Sequence, residues 1–129
     1  MPKAKQISAW VADRPGVLGE VANALGAKGI GIRAFTAAAM DGRGFLRVVV
    51  DRPAAAQRIF AAHGWQTTED EVIEVTVRDR PGALGRVADR LGKAGVNIQY
   101  AYLGRARSAR DVNLYLAVAD VRAGLRALR

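Results

Sequence analysis

Hydrophobic and polar residues alternate over two short stretches of the chain. Ile7, Ala9 and Val11 fall on one side of an extended segment, and Ile73, Val75 and Val77 repeat the pattern. A period of two predicts a strand with one buried face. In both places the period then changes. Leu18, Val21, Ala22 and Leu25 recur at helical spacing, as do Leu84, Val87, Ala88 and Leu91, and each set predicts a helix with one apolar face. Gly29 and Gly95 follow as helix-ending glycines. Second strands start at Ile30 and Val96, and third strands run from Phe45 to Val50 and from Val112 to Val118. Second helices are expected from Pro53 to about His63 and from about Val121 to Arg129. A short fourth strand near Trp65 to Glu69 leads almost directly into the segment that holds Ile73.

The two halves are copies. The segment Asp13 to Ile32 recurs as Asp79 to Ile98 at a constant offset of 66 residues, sharing the skeleton D-R-P-G-x-L-G-x-V-A-x-x-L-G-x-x-G-[IV]-x-I. Self-similarity of this density marks a duplicated folding unit, with repeat 1 over residues 1–69 and repeat 2 over 70–129. The order β-α-β-β-α-β predicts an α+β protein of two tandem ferredoxin-like units, each an antiparallel sheet with helices on one face. The second repeat is expected to lack its fourth strand, which leaves an open sheet edge for another chain to cover.

Composition narrows the chemistry. Of 129 residues, 50% are hydrophobic and 25% charged, the balance of a soluble globular protein. No apolar run approaches the roughly 20 residues of a membrane span. The N-terminus passes straight into a strand-like run without a signal-like apolar region, which predicts a cytoplasmic protein. The chain has no cysteine and one histidine, His63, so thiolate metal sites, His clusters and cysteine nucleophiles are excluded. Ser8 and Ser108 lie in no nucleophile-elbow motif. Neither a cofactor, a metal nor an enzymatic activity is expected. The net charge of +8 raises a nucleic-acid or acidic partner. The cations are mostly Arg and scatter without a run, and Phe45 to Val50 lacks the aromatic signature of RNA-binding sheets. Nucleic acid is therefore the third reading.

The repeated turns carry the most specific chemistry. Asp13 and Asp79 stand where a side chain can cap the following helix, and Pro15 and Pro81 fit its first turn. The backbone N–H groups near Gly16, Val17 and Leu18, and near Gly82, Ala83 and Leu84, are then free to meet a carboxylate. Without a ligand, the same residues are simply good helix-starting chemistry, with Arg14 and Arg80 solvated or paired with acids.

This string, set between two strands and present twice, resembles the ACT domain, a family of small regulatory modules that bind amino acids. The resemblance spans both halves. It implies modules joined edge to edge through their second strands, with the effector held in the seam by the turn of one and the second strand of the other. On this chain it implies a site made of the Asp13-Arg14-Pro15-Gly16 turn and Asn97, which matches the Asn of the family's G-[IV]-N-I motif. Asp79-Arg80-Pro81-Gly82 is the second turn. Gly31 stands where Asn97 does in the other repeat, so the repeats are not expected to bind identically. Asn97 read alone is equally a turn residue. The implied ligand is an amino acid or related small carboxylate, and the protein partners expected apart from the resemblance are a second copy of the chain in a homodimer and a metabolic enzyme. A ligand-independent interaction module is the alternative. Trp10, Phe35, Val49 and Tyr115 are expected on the sheet face turned away from the helices, as an open apolar surface for the homodimer.

Overall fold

The computed structural model describes residues 3–129. Its elements run β1 (Lys3–Ala12), α1 (Val17–Ala27), β2 (Ile32–Met40), β3 (Arg43–Val50), α2 (Pro53–Ala62), β4 (Gln66–Arg78), α3 (Ala83–Lys93), β5 (Ile98–Arg105), β6 (Asp111–Val118) and α4 (Val121–Ala127). They form two compact units. The first is Lys5–Asp70, and the second is Glu71–Arg129 together with Lys3 and Ala4. Lys5 faces Glu69 at 3.7 Å within the first, and Lys3 faces Glu71 at 3.1 Å within the second.

β4 is one strand of 13 residues, where the sequence suggests two. No Gly or Pro interrupts Gln66–Arg78, and its Thr, Val and Ile residues favour extended backbone. After α4 no strand follows among the described residues.

Each unit is arranged about a central third strand. β3 pairs antiparallel with β1, from Ile7–Val48 to Ala12–Arg43, and with β2, from Ile32–Val50 to Met40–Arg43. β6 pairs antiparallel with β4, from Ile73–Leu116 to Arg78–Asp111, and with β5, from Ile98–Val118 to Arg105–Val112. The same bulge interrupts β2 between Ile32 and Ala34 and β5 between Ile98 and Tyr100. One extra residue inverts the facing of everything after it. Phe35 therefore pairs with Val48 and lies on the helix side, correcting the alternation counted from Ile30 and Ile32.

The helices seal one face of each sheet. In the first unit Val21, Leu25, Ala56 and Phe60 pack on Ile7, Ala9, Leu46 and Val48. In the second Val87 and Leu91 pack on Ile73, Leu114, Leu116 and Val118. α4 approaches closely at Gly124, where a Cβ would collide with Ile73 Cδ1, and Asp120 caps it by accepting from the Ala123 N–H at 3.1 Å.

The other face departs from expectation. Val49 and Tyr115 do point away from the helices, yet both are fully buried, so they form no open apolar surface. Both sit on central strands with a neighbour on either side. Tyr115 is covered by Tyr102, stacked at 5.4 Å, and its hydroxyl donates to Glu74 at 2.7 Å. Asn113 donates to that hydroxyl at 3.3 Å and to the Arg105 carbonyl at 3.1 Å, and accepts from Thr76 at 2.6 Å.

Candidate ligand site

The strand–helix turn is the same object in both units. Gly16 has φ +88° and ψ −9°, and Gly82 has φ +89° and ψ −9°. This left-handed conformation favours glycine, which has no Cβ to clash. These glycines are themselves the N-cap residues, and neither helix has a side-chain cap. Asp13 and Asp79 therefore do not cap, because Pro15 and Pro81 prolong the turn and move the helix start downstream. Asp79 instead donates its backbone N–H to the Arg110 carbonyl at 2.9 Å.

The amides divide unequally. Val17 donates to the Arg14 carbonyl at 3.3 Å, and Ala83 to the Arg80 carbonyl at 3.2 Å. These two are thus used within the turn, not left free as the sequence suggests. Among the described residues the amides of Leu18 and Gly19, and of Leu84 and Gly85, have no hydrogen-bond partner. They are the open anion-facing donors of each helix. Leu18 and Leu84, expected in the core stripe, are 43% and 50% exposed, while Ala83 takes a buried place on α3.

Both leucines line a recess. In the first unit a cavity of about 220 Å³ lies between the turn and strands β2 and β3, walled by Val11, Asp13, Val17, Leu18, Ala37, Ala38, Ala39, Gly44, Phe45 and Leu46. In the second a cavity of about 150 Å³ occupies the matching place, walled by Leu84, Ala101, Tyr102, Leu103, Leu114 and Leu116. Ala37 pairs with Leu46 in one and Leu103 with Leu114 in the other, so Leu103 stands where the first recess has an alanine. A side chain at Gly44 would crowd its neighbours, since a Cβ would lie 3.0 Å from Val11 Cγ2 and 3.2 Å from the Ala12 carbonyl.

Of the residues singled out from sequence, Asp13, Val17 and Leu18 come together at the first recess. Arg14 turns to Glu20, at 2.6 Å, and Pro15 and Gly16 shape the turn. Gly31 donates its amide to Asp51 at 3.1 Å and its carbonyl accepts from the Asp51 amide at 3.2 Å, so it is engaged within its own unit. Of the second set only Leu84 lines the second recess. Asp79, Arg80, Pro81 and Gly82 form the exposed turn above it, and Asn97 is exposed just before β5. Sequence reasoning missed Ala37 to Ala39, Gly44 and Leu46. The run of small residues at the end of β2 was the available signal.

The first recess thus has Asp13 and Leu18 among its lining residues, small apolar walls, and a helix start beside it with two free amides. It contains no nucleophile with a base beside it. No group of three or more His, Cys, Asp or Glu residues able to hold a metal occurs among the described residues, and no helix there is long and apolar enough to cross a membrane.

Comparison with known proteins gives this geometry a family. The ACT domain model matches residues 72–123, which include the second turn and recess. The chain thus contains an ACT-domain match within its second unit. Its first unit repeats the skeleton of the second, and a tandem ACT arrangement is consistent with the two-unit fold. A Bacteroides thetaiotaomicron protein is similar at 25% identity and TM-score 0.87, over 98% of this chain and 86% of its own. The regulatory subunit of aspartate kinase from Thermus thermophilus, in ligand-free form, shares the fold at TM-score 0.68 and 17% identity, over 98% and 90%. Its Thermus flavus counterpart does so at TM-score 0.65 and 18% identity, over 99% and 91%. No curated protein matches the chain.

Proposed function

We propose that the protein is a regulatory binder of a small amino acid, taken up by the first ACT unit. The observation that carries this reading is the first recess, whose lining joins Asp13 and Leu18 to a run of alanines, with the amides of Leu18 and Gly19 free at the start of the adjoining helix. An ammonium group would donate to Asp13, and a carboxylate would accept from the helix amides. The cavity is smaller than the ~300–1,000 Å³ of drug-sized sites, which suits a compact metabolite. The comparison with aspartate kinase regulatory subunits supports a regulatory, non-catalytic role. Asn97 and the second turn, with Leu103 in the recess, form a weaker or silent counterpart.

Regulation would work by linkage: ligand stabilises one arrangement, and a partner reads it. The same reading takes the chain as a cytoplasmic homodimer. It takes the second unit as one without a fourth strand of its own, its sheet edge served by Lys3 and Ala4.

A thermal-shift screen with the twenty amino acids tests the proposal. At a hundred times its Kd the ligand adds about 2.7 kcal/mol, and Asp13→Asn removes most of that shift. A screen without any shift, or a shift that Asp13→Asn leaves unchanged, rejects the site.

A further inference from the structure

The second recess has no carboxylate and stands beside a cluster of arginines, and this pairing suggests a different occupant. β5 alternates between half-buried and exposed residues, with Ala101, Leu103 and Arg105 on the exposed, helix-facing side. Leu103 is 58% exposed and Leu84 50%, and both rim the cavity that Leu114 and Leu116 floor. Arg105 is the next residue on the same face of β5 as Leu103. The β5–β6 loop then adds Arg107 and Arg110, both exposed, with no acid from Gly104 to Arg110. The Asp79 N–H bond to the Arg110 carbonyl holds this loop against the second turn, which adds Arg80.

The first unit shows that the cluster is not a property of the fold. Its turn arginine, Arg14, is neutralised by Glu20 at 2.6 Å, whereas the residue at Glu20's place in the second unit is Arg86. Its hairpin is a tight Asp41-Gly42 turn, and Arg43 is stacked on Trp10 at 4.3 Å. The second unit thus replaces a neutral end with a basic one and fills the adjoining alanine site with an exposed leucine.

We infer that this face of the second unit is a docking surface for an acidic peptide segment of a partner protein, with one aliphatic or Met side chain seated in the Leu84–Leu103 recess and flanking Asp or Glu residues on Arg80, Arg105 and Arg107. Apolar anchor and acidic flanks are the complement of the pocket and its basic rim. A nucleic acid would use the arginines alone and leave the recess empty. The surface does not depend on ligand binding in the first unit.

Fluorescence anisotropy with the full chain tests this, using labelled acidic peptides of about twelve residues that carry one central Leu, Met or Ser, and an oligothymidylate of matched charge. The Leu or Met peptides are expected to bind at least about tenfold more tightly than the Ser peptide. Leu103→Ser removes that preference, and Arg105→Glu with Arg107→Glu weakens both classes. All three positions are exposed, and unchanged melting temperatures show that the variants fold. Equal binding of Leu and Ser peptides, tighter binding of the oligonucleotide that Leu103→Ser leaves unaltered, or no binding of any acidic peptide overturns the proposal.

Discussion

The two units share a skeleton and differ where a small molecule or a partner would meet them. Both have a left-handed glycine at the helix start, the same bulge after the first residue of the second strand, and a recess under the first helical turn. In the first unit the recess has alanine walls, a carboxylate and a balanced rim. In the second it has leucine walls, and an arginine-rich strand end and loop follow Leu103. The duplicated positions are those that set backbone geometry and most of the core, and the divergent ones around the recess are mostly on the surface. Such a pattern fits two roles built on one scaffold.

Leu25 and Leu91 are both fully buried at matching places, and Leu25→Ala and Leu91→Ala should each cost about 2–5 kcal/mol in urea unfolding. A large inequality would show that the cores are not equivalent. Next, Ala37→Leu gives the first recess the wall of the second. It should abolish the ligand-induced stabilisation of about 2.7 kcal/mol at saturating amino acid, leaving the unliganded melting temperature nearly unchanged because Ala37 is exposed. A retained thermal shift would mean the ligand lies elsewhere.

Gly124 in the second unit stands where the first has Ala56, which is fully buried. Gly124→Ala should cost about 1–3 kcal/mol by overpacking against Ile73, and the added Ile73→Val substitution should recover part of it in the same unfolding assay. Last, Glu20→Gln should cost at most about 1 kcal/mol, and less at high salt, because the Arg14–Glu20 pair is half exposed. Arg86→Glu, which gives the second unit the same pair with Arg80, should gain no more than that.

Much of this was legible in the sequence, and the failures have identifiable causes. Hydrophobic period and the repeated D-R-P-G string give every helix and nearly every strand, because backbone preference and core burial act locally. Alternation places Phe35 on the wrong face, because a bulge is silent in such a count. Asp13 reads as a cap because Asp commonly caps, but Pro15 shifts the helix start past its reach. Val49 and Tyr115 could not be recognised as buried, since alternation reports which side a residue faces and says nothing of what covers that side. The recess walls at Ala37 and Leu103 depend on cross-strand register, which becomes visible only once the sheets are assembled.

The unbroken run of β4 has a practical consequence for anyone wishing to separate the duplicated halves. A cut between Glu69 and Asp70, where the repeat pattern invites it, severs a ladder-forming strand midway and strands Lys3 and Ala4 on the wrong fragment. Neither piece would inherit its full complement of edges. Isolated halves made in that way would be expected to clump, and their behaviour would say little about the intact molecule.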